Sequence, residues 1–167
     1  MTGARRGIAL GGFMGVGKST VGRLLSVRLG LPFVDVDEVL TQRFGTISRQ
    51  FETEGEEVFR ARERSVIAEL AEGPPRVIAT GGGAWVDPGN RRALARQHDL
   101  VVLSAPLEVL RSRVEGAGGR PLWGAQVDAL HAARQPAYAE ADLVVRTDER
   151  SPHEVVEEIV AWSTREQ

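Results

Sequence analysis

Between Gly12 and Ser19 the chain reads Gly-Phe-Met-Gly-Val-Gly-Lys-Ser, two glycines framing a four-residue gap and a lysine and serine closing it. Such spacing suits the capture of phosphate. Glycines adopt positive φ, so successive backbone N–H groups can turn inward as an anion nest, and a helix beginning at the lysine adds partial positive charge. Gly15, Val16, Gly17, Lys18, Ser19 and Thr20 would then wrap the phosphates of ATP, with Lys18 on the β and γ groups and the Ser19 hydroxyl placed for Mg²⁺. Lys18 is the only lysine beside 20 arginines. Inside a phosphate nest a planar guanidinium is too wide, whereas a compact ammonium fits, so its retention there reads as chemical.

A second polar group follows at Phe33-Val34-Asp35-Val36-Asp37. Aspartates at i and i+2 of a strand project to one face, and here they stand at the carboxyl end, where parallel sheets bind ligands. One can hold Mg²⁺ through water while the other accepts a hydrogen bond from a substrate hydroxyl. Asp37 also suits the N-cap of a helix from Glu38 to Phe44, whereas Asp35 has no evident capping role. Arg60, taken alone, reads as a helix-surface ion pair with Glu56 or Glu63, and Arg134 as an exposed helix residue. Gly81 to Gly83 form a turn after a strand. His98, His131 and His153 have no metal-ligand spacing and read as surface residues, and Trp85 and Trp162 as packing residues.

These groups need a scaffold that brings distant segments together. Five short apolar runs, Ile8 to Leu10, Phe33 to Val36, Arg76 to Ala79, Leu100 to Leu103 and Leu143 to Val145, read as strands buried on both faces. Helical spacing of apolar residues marks Lys18 to Leu29 and Glu56 to Ala71. Pro106 opens another helix through Val114, and Ser151-Pro152 supplies a cap and an N1 proline before a final helix to Trp162. The alternation predicts an α/β fold with a five-stranded parallel sheet flanked by helices. The 37–71 connection is too long for a single crossover and predicts a lobe of several helices over the sheet edge, a natural substrate platform. Residues 115–121, with three glycines before Arg120 and Pro121, read as a mobile loop carrying one charge.

The 167 residues suit one domain, residues 1–167, and 42% hydrophobic with 26% charged residues is ordinary for a globular protein. A net charge of −2 leaves no global field for nucleic acid or anionic lipid, so an anion site must be built locally. Without cysteine there is no disulfide framework, thiolate metal site or cysteine nucleophile, in keeping with the cytoplasm. No apolar run is long enough for a membrane span. No long apolar face is left over once the sheet is covered, and a monomer is expected.

Taken in order, the motifs resemble those of the shikimate kinases over nearly the whole chain. They are G-F-M-G-V-G-K-S-T-V-G-R from Gly12 to Arg23, D-V-D at Asp35 to Asp37, F-E-T-E-G-E-E-V-F-R from Phe51 to Arg60, T-G-G-G-A from Thr80 to Ala84, R-P-L at Arg120 to Leu122 and R-Q-P-A-Y from Arg134 to Tyr138. The resemblance implies a P-loop kinase fold and transfer of the γ-phosphate of ATP to the 3-hydroxyl of shikimate. It further implies that Arg60 and Arg134 bind the shikimate carboxylate, that Asp37 contacts ring hydroxyls, and that the backbone of Gly81, Gly82 and Gly83 approaches the ring. Arg120 matches the lid arginine that closes over ATP, and Arg113 and Arg150 match positions near the adenine. The segment from Arg120 to Arg134 is shorter than its family counterpart, which implies a trimmed lid. The nearest rival is a gluconate kinase, which acts on another polyhydroxy acid. A silent nucleotide-binding module is expected to lack Asp37, Arg60 or Arg120, and all three are present.

Overall fold

The computed structural model describes residues 5–116 and 125–165. Within them five strands, β1 (Gly7–Gly11), β2 (Phe33–Asp35), β3 (Val77–Ala79), β4 (His98–Ser104) and β5 (Leu143–Arg146), pair in parallel in the order β2-β3-β1-β4-β5. The register sets Leu10 beside Ala79 and Asp35 beside Ala79 from the other side, so β1, β2 and β3 end level with one another. Their carboxyl ends therefore present three consecutive connections on one rim, where ligands of such sheets bind. The expected strand runs are all present, and Ile8, Leu10, Val77, Ile78, Val101 and Leu103 are buried between the helical layers.

Local sequence explains where the helices begin. Helix α1 (Lys18–Leu29) starts at Gly17 and ends at Gly30, both left-handed, and the Gly30 N–H returns to the carbonyls of the last turn. Helix α2 (Val36–Phe44) begins two residues earlier than expected. Its N-cap is Asp35, whose side chain accepts the N–H groups of Asp37 and Glu38. The capping role anticipated for Asp37 thus belongs to Asp35, because β2 ends at Asp35 and only a residue preceding the first turn can reach the free N–H groups beyond it. Asp37 itself sits within the first helical turn, and the i, i+2 strand argument does not govern it.

Helix α3 (Ile47–Glu72) is two helical pieces joined at Gly55, whose φ of 86° breaks the helical path. Glycine meets that requirement without steric cost. Together α2 and α3 make up the helical lobe expected between β2 and β3. After β3 a short 3₁₀ turn (Ala84–Val86) leads to α4 (Pro88–Ala95), then come α5 (Leu107–Gly116), α6 (Ala125–Tyr138) and α7 (Pro152–Arg165). Ser151 caps α7 reciprocally with Glu154, as the Ser-Pro signal predicts.

Trp85 is fully buried beneath the end of β1, where a β-carbon on Gly11 would lie 2.5 Å from its ring. Trp162 packs against the core from α7. His153 is exposed and His131 half-buried. His98, read above as a surface residue, is instead completely buried at the start of β4, with neither ring nitrogen hydrogen-bonded among the described residues. It lies in a strand interior to the sheet, and flanked by Gln97 and Asp99 it gives no periodic sign of its depth. No described helix is long and apolar enough to cross a membrane.

Candidate active site

The turn after β1 adopts the shape its glycines predict. Gly12, Gly15 and Gly17 have φ of 140°, 82° and 101°, and Val21 N–H closes onto the Gly17 carbonyl as α1 begins. The loop opens onto a cavity of about 330 Å³ that contains Gly15 to Thr20 on one side and Asp35, Asp37, Arg60, Glu63, Gly81 to Gly83 and Arg134 on the other. Lys18 arches back over the loop, its ammonium donating to the Gly12 carbonyl at 2.5 Å and reaching Phe13 O at 3.4 Å. Ser19, in the first turn of α1, donates to Asp35 Oδ2 at 2.7 Å.

Across from the loop, three consecutive glycines each face one charged side chain. A β-carbon on Gly81 would lie 2.9 Å from Asp37 Oδ1, one on Gly82 2.6 Å from an Arg134 guanidinium nitrogen, and one on Gly83 2.5 Å from an Arg60 guanidinium nitrogen. The turn is glycine because the heads of Asp37, Arg134 and Arg60 occupy the space of its missing side chains. Two guanidinium forks on adjacent peptides form a strong site for a planar carboxylate, and an acceptor one residue away suits a hydroxyl. Arg60 comes from α3 and Arg134 from α6, so the acid site exists only in the folded chain. The apolar side is supplied by Ile47, Phe51 and Phe59, the two phenyl rings stacked at 4.8 Å.

The ion pairs expected for Arg60 are both present, with Glu56 at 3.5 Å and Glu63 at 2.9 Å, but they differ in kind. Glu56 is exposed. Glu63 is buried, its second oxygen unpartnered among the described residues, and burial pushes its carboxyl above the usual carboxylate range against the pull of Arg60. Sequence reading treated Glu63 only as a surface partner. Its signal was there: Phe59, Glu63, Val66, Ile67 and Leu70 form one helical stripe, and a glutamate within it faces inward. The same oxygen would lie 3.4 Å from a β-carbon on Gly81, so Glu63 and Asp37 flank that glycine together.

Arg113 and Arg150 lie outside this cavity, beside a second one of about 290 Å³ on the far side of the phosphate loop. Arg113 donates to Gly15 O and Val16 O at 3.4 Å, and Arg150 to Arg146 O and Glu154 O. This second space borders Gly15, Val16, Gly17, Thr20 and Pro152, so it continues from the phosphate loop as a nucleoside would. Arg120 and Trp123, with most of the expected lid, lie outside the described residues.

Comparison with known proteins accords with this geometry. The family model described as "Shikimate kinase" matches residues 14–164. A shikimate kinase of Geobacter sulfurreducens is 46% identical over 164 residues, 94% of this chain and 90% of that protein. The crystal structure of shikimate kinase from Aquifex aeolicus superposes with a TM-score of 0.82 at 38% identity, over 95% of this chain and 96% of that one. Shikimate kinase from Acinetobacter baumannii, solved in complex with shikimate, superposes with a TM-score of 0.89 at 34% identity, over 97% and 94% of the two chains.

Proposed function

The chain belongs to the shikimate kinase family, and from that premise we propose that it carries the γ-phosphate of ATP to the 3-hydroxyl of shikimate. The products are shikimate 3-phosphate and ADP, a step of chorismate and aromatic amino-acid biosynthesis. The observation that carries the reading is the pairing of Arg60 and Arg134 over adjacent glycines in the cavity that also holds Lys18.

In this reading Arg60 and Arg134 grip the carboxylate of the substrate, and Asp37 takes the hydroxyl. Phosphoryl transfer proceeds through a loose transition state, so alignment and charge stabilisation matter more than activation of the nucleophile. Asp37 therefore orients the hydroxyl and accepts its proton late. Lys18 releases the Gly12 carbonyl to meet the β and γ phosphates, while the loop N–H groups hold their remaining oxygens. Arg113 and Arg150 border the nucleoside end. Arg120, outside the described residues, is assigned by the resemblance alone to the charge of the transferring group.

Magnesium favours hard oxygen ligands and retains several waters, so it needs few protein donors. The hydroxyl of Ser19 and the carboxylate of Asp35, already 2.7 Å apart, fit that demand. Bound there with ATP, Mg²⁺ would neutralise phosphate charge. Residues 1–167 are taken as one domain with 37–71 as its substrate lobe and 115–124 as its lid. It is proposed to act as a cytoplasmic monomer without nucleic-acid or membrane partners.

The test is a coupled ADP-release assay with shikimate and gluconate side by side. Stimulation by shikimate alone supports the reading, stimulation by gluconate replaces it, and neither acid raising the ATP-only rate leaves a nucleotide-binding module.

A further inference from the structure

Tyr138 is the last residue of α6 and is 5% exposed, yet its hydroxyl has a specific task in the fold. It donates to the Gly82 carbonyl across 2.6 Å, joining segments 56 residues apart. Arg134 lies one helical turn earlier, on the same face, and its charge acts on the same phenol. Gly82 is also the glycine against which the Arg134 guanidinium lies. Tyr138 and Arg134 thus meet at the same peptide, Gly82, at the rim of the substrate cavity.

We propose that Tyr138 is a positioning residue for shikimate recognition, holding the Arg134 guanidinium and the Gly82 peptide in one fixed relation. This rests on the reading of Arg134 as part of the carboxylate clamp. The mechanism follows from donor and acceptor counting. A phenol has one proton to give, and Tyr138 gives it to the Gly82 carbonyl. Donation to Gly82 O fixes the plane of the Gly82–Gly83 peptide, and in a trans peptide this turns the Gly83 N–H to the opposite side. With that peptide held, the Arg134 guanidinium lies against a surface that does not shift, which limits the rotamer freedom it loses at each binding event. Burial pushes the Tyr138 phenol up to about 12, with the neighbouring Arg134 opposing, so it remains a donor throughout the neutral range.

Position supports a role beyond packing. Tyr138 lines a separate cavity of about 290 Å³ with Phe13, Val16, Leu103, Leu110, His131 and Gln135. Tyr138 does not line the substrate cavity and reaches it through the hydrogen bond of its hydroxyl to Gly82. Removing that one oxygen separates the two contributions.

The experiment compares wild type with Tyr138→Phe, Arg134→Ala and the double variant, measuring kcat, KM for shikimate, KM for ATP and Tm. Tyr138→Phe should raise the KM for shikimate about tenfold, the upper end of the loss expected for a neutral buried hydrogen bond, and leave the KM for ATP within about twofold. In the Arg134→Ala background the same change should add little, since its effect passes through Arg134. An unchanged shikimate KM, a parallel rise in both KM values with a falling Tm, or full additivity in the double variant would each overturn the proposal. Arg134→Ala with an unaltered shikimate KM would instead sink the clamp reading, an outcome separate from any result at Tyr138.

Discussion

Ser19 Oγ donates to Asp35 Oδ2 across 2.7 Å and so ties the first turn of α1 to the N-cap of α2. The two oxygens of Asp35 serve different ends. Oδ1 accepts the N–H groups of Asp37 at 2.9 Å and Glu38 at 3.3 Å, which starts the helix that bears Asp37. Oδ2 faces the phosphate side. One carboxylate thereby sets the distance between the nucleotide loop and the hydroxyl acceptor.

Asparagine caps helices about as well as aspartate but carries no charge, so it separates these roles. Asp35→Asn should keep thermal stability near that of wild type and lower turnover at limiting Mg²⁺, with partial recovery as Mg²⁺ is raised. Asp35→Ala should in addition lose about 1 kcal/mol of stability with the cap. Asp37→Asn, which leaves the cap untouched, should cut kcat roughly hundredfold while ATP still binds, the scale typical of a lost proton acceptor. Titrating Mg²⁺ in steady-state assays and following unfolding by circular dichroism checks all three, and full turnover in Asp37→Asn removes Asp37 from the mechanism.

Gly83→Ala offers a selective way to disturb the acid site. The added β-carbon would meet the Arg60 guanidinium at 2.5 Å, and the Gly83 backbone is already in the ordinary right-handed region. The atom displaced is the free end of a flexible side chain, so the clamp moves before the fold does. The expected result is a shikimate KM raised roughly tenfold, as for a weakened charge-assisted hydrogen bond, with Tm and the KM for ATP little changed. A large fall in Tm would show that the glycine is required for the turn itself.

His98 gives the molecule a pH dependence of defined sign. Burial holds its imidazole below the usual histidine range, the Leu94 backbone opposes it, Arg76 and Arg6 act with burial, and Asp99 acts against them. Above about pH 6.5 the ring is neutral in folded and unfolded chains alike. As pH falls through that value the unfolded chain takes the proton first, so stability declines until the folded-state value is reached. The slope contributed is at most about 1.4 kcal/mol per pH unit. Glu63, with its raised carboxyl, acts oppositely as it gains its proton in the folded state. Urea unfolding of wild type and His98→Leu at pH 7.5 and 5.5 isolates the histidine: the wild type should lose stability relative to the variant on acidification, and parallel curves would refute the assignment.

The strand runs, α1 and the α7 cap were legible because each rests on local chemistry, the apolar run, the glycine pair or the Ser-Pro signal. The capping role fell to Asp35 rather than Asp37 because a two-residue shift of the helix start, invisible to periodicity, decides which carboxylate precedes the first turn. Arg60 and Arg134 were indistinguishable from surface charges until the resemblance joined them, since nothing local says that α3 and α6 meet over the same glycines. Glu63 and Tyr138 were legible only in retrospect: a glutamate in an apolar stripe and a tyrosine at a helix end acquire meaning from partners 3 and 56 residues away.

Lys18 remains the residue whose type, rather than its charge, is most exposed to test. In the folded loop its ammonium donates to Gly12 O and approaches Phe13 O, a span that a thin stem and three rotatable donors can make from inside a six-residue turn. A guanidinium keeps the charge but spreads it over a rigid plane. Accommodating that plane requires the loop to widen, which would turn its N–H groups away from the phosphates they converge on. Lys18→Arg should therefore lower kcat roughly a hundredfold, the scale of losing a preorganised donor to a transferring group, with unchanged Tm. Lys18→Ala supplies the comparison. If arginine performs no better than alanine, shape decides and charge alone is worth little in the nest; if arginine restores near-normal turnover, the single lysine among 20 arginines has no mechanistic cause.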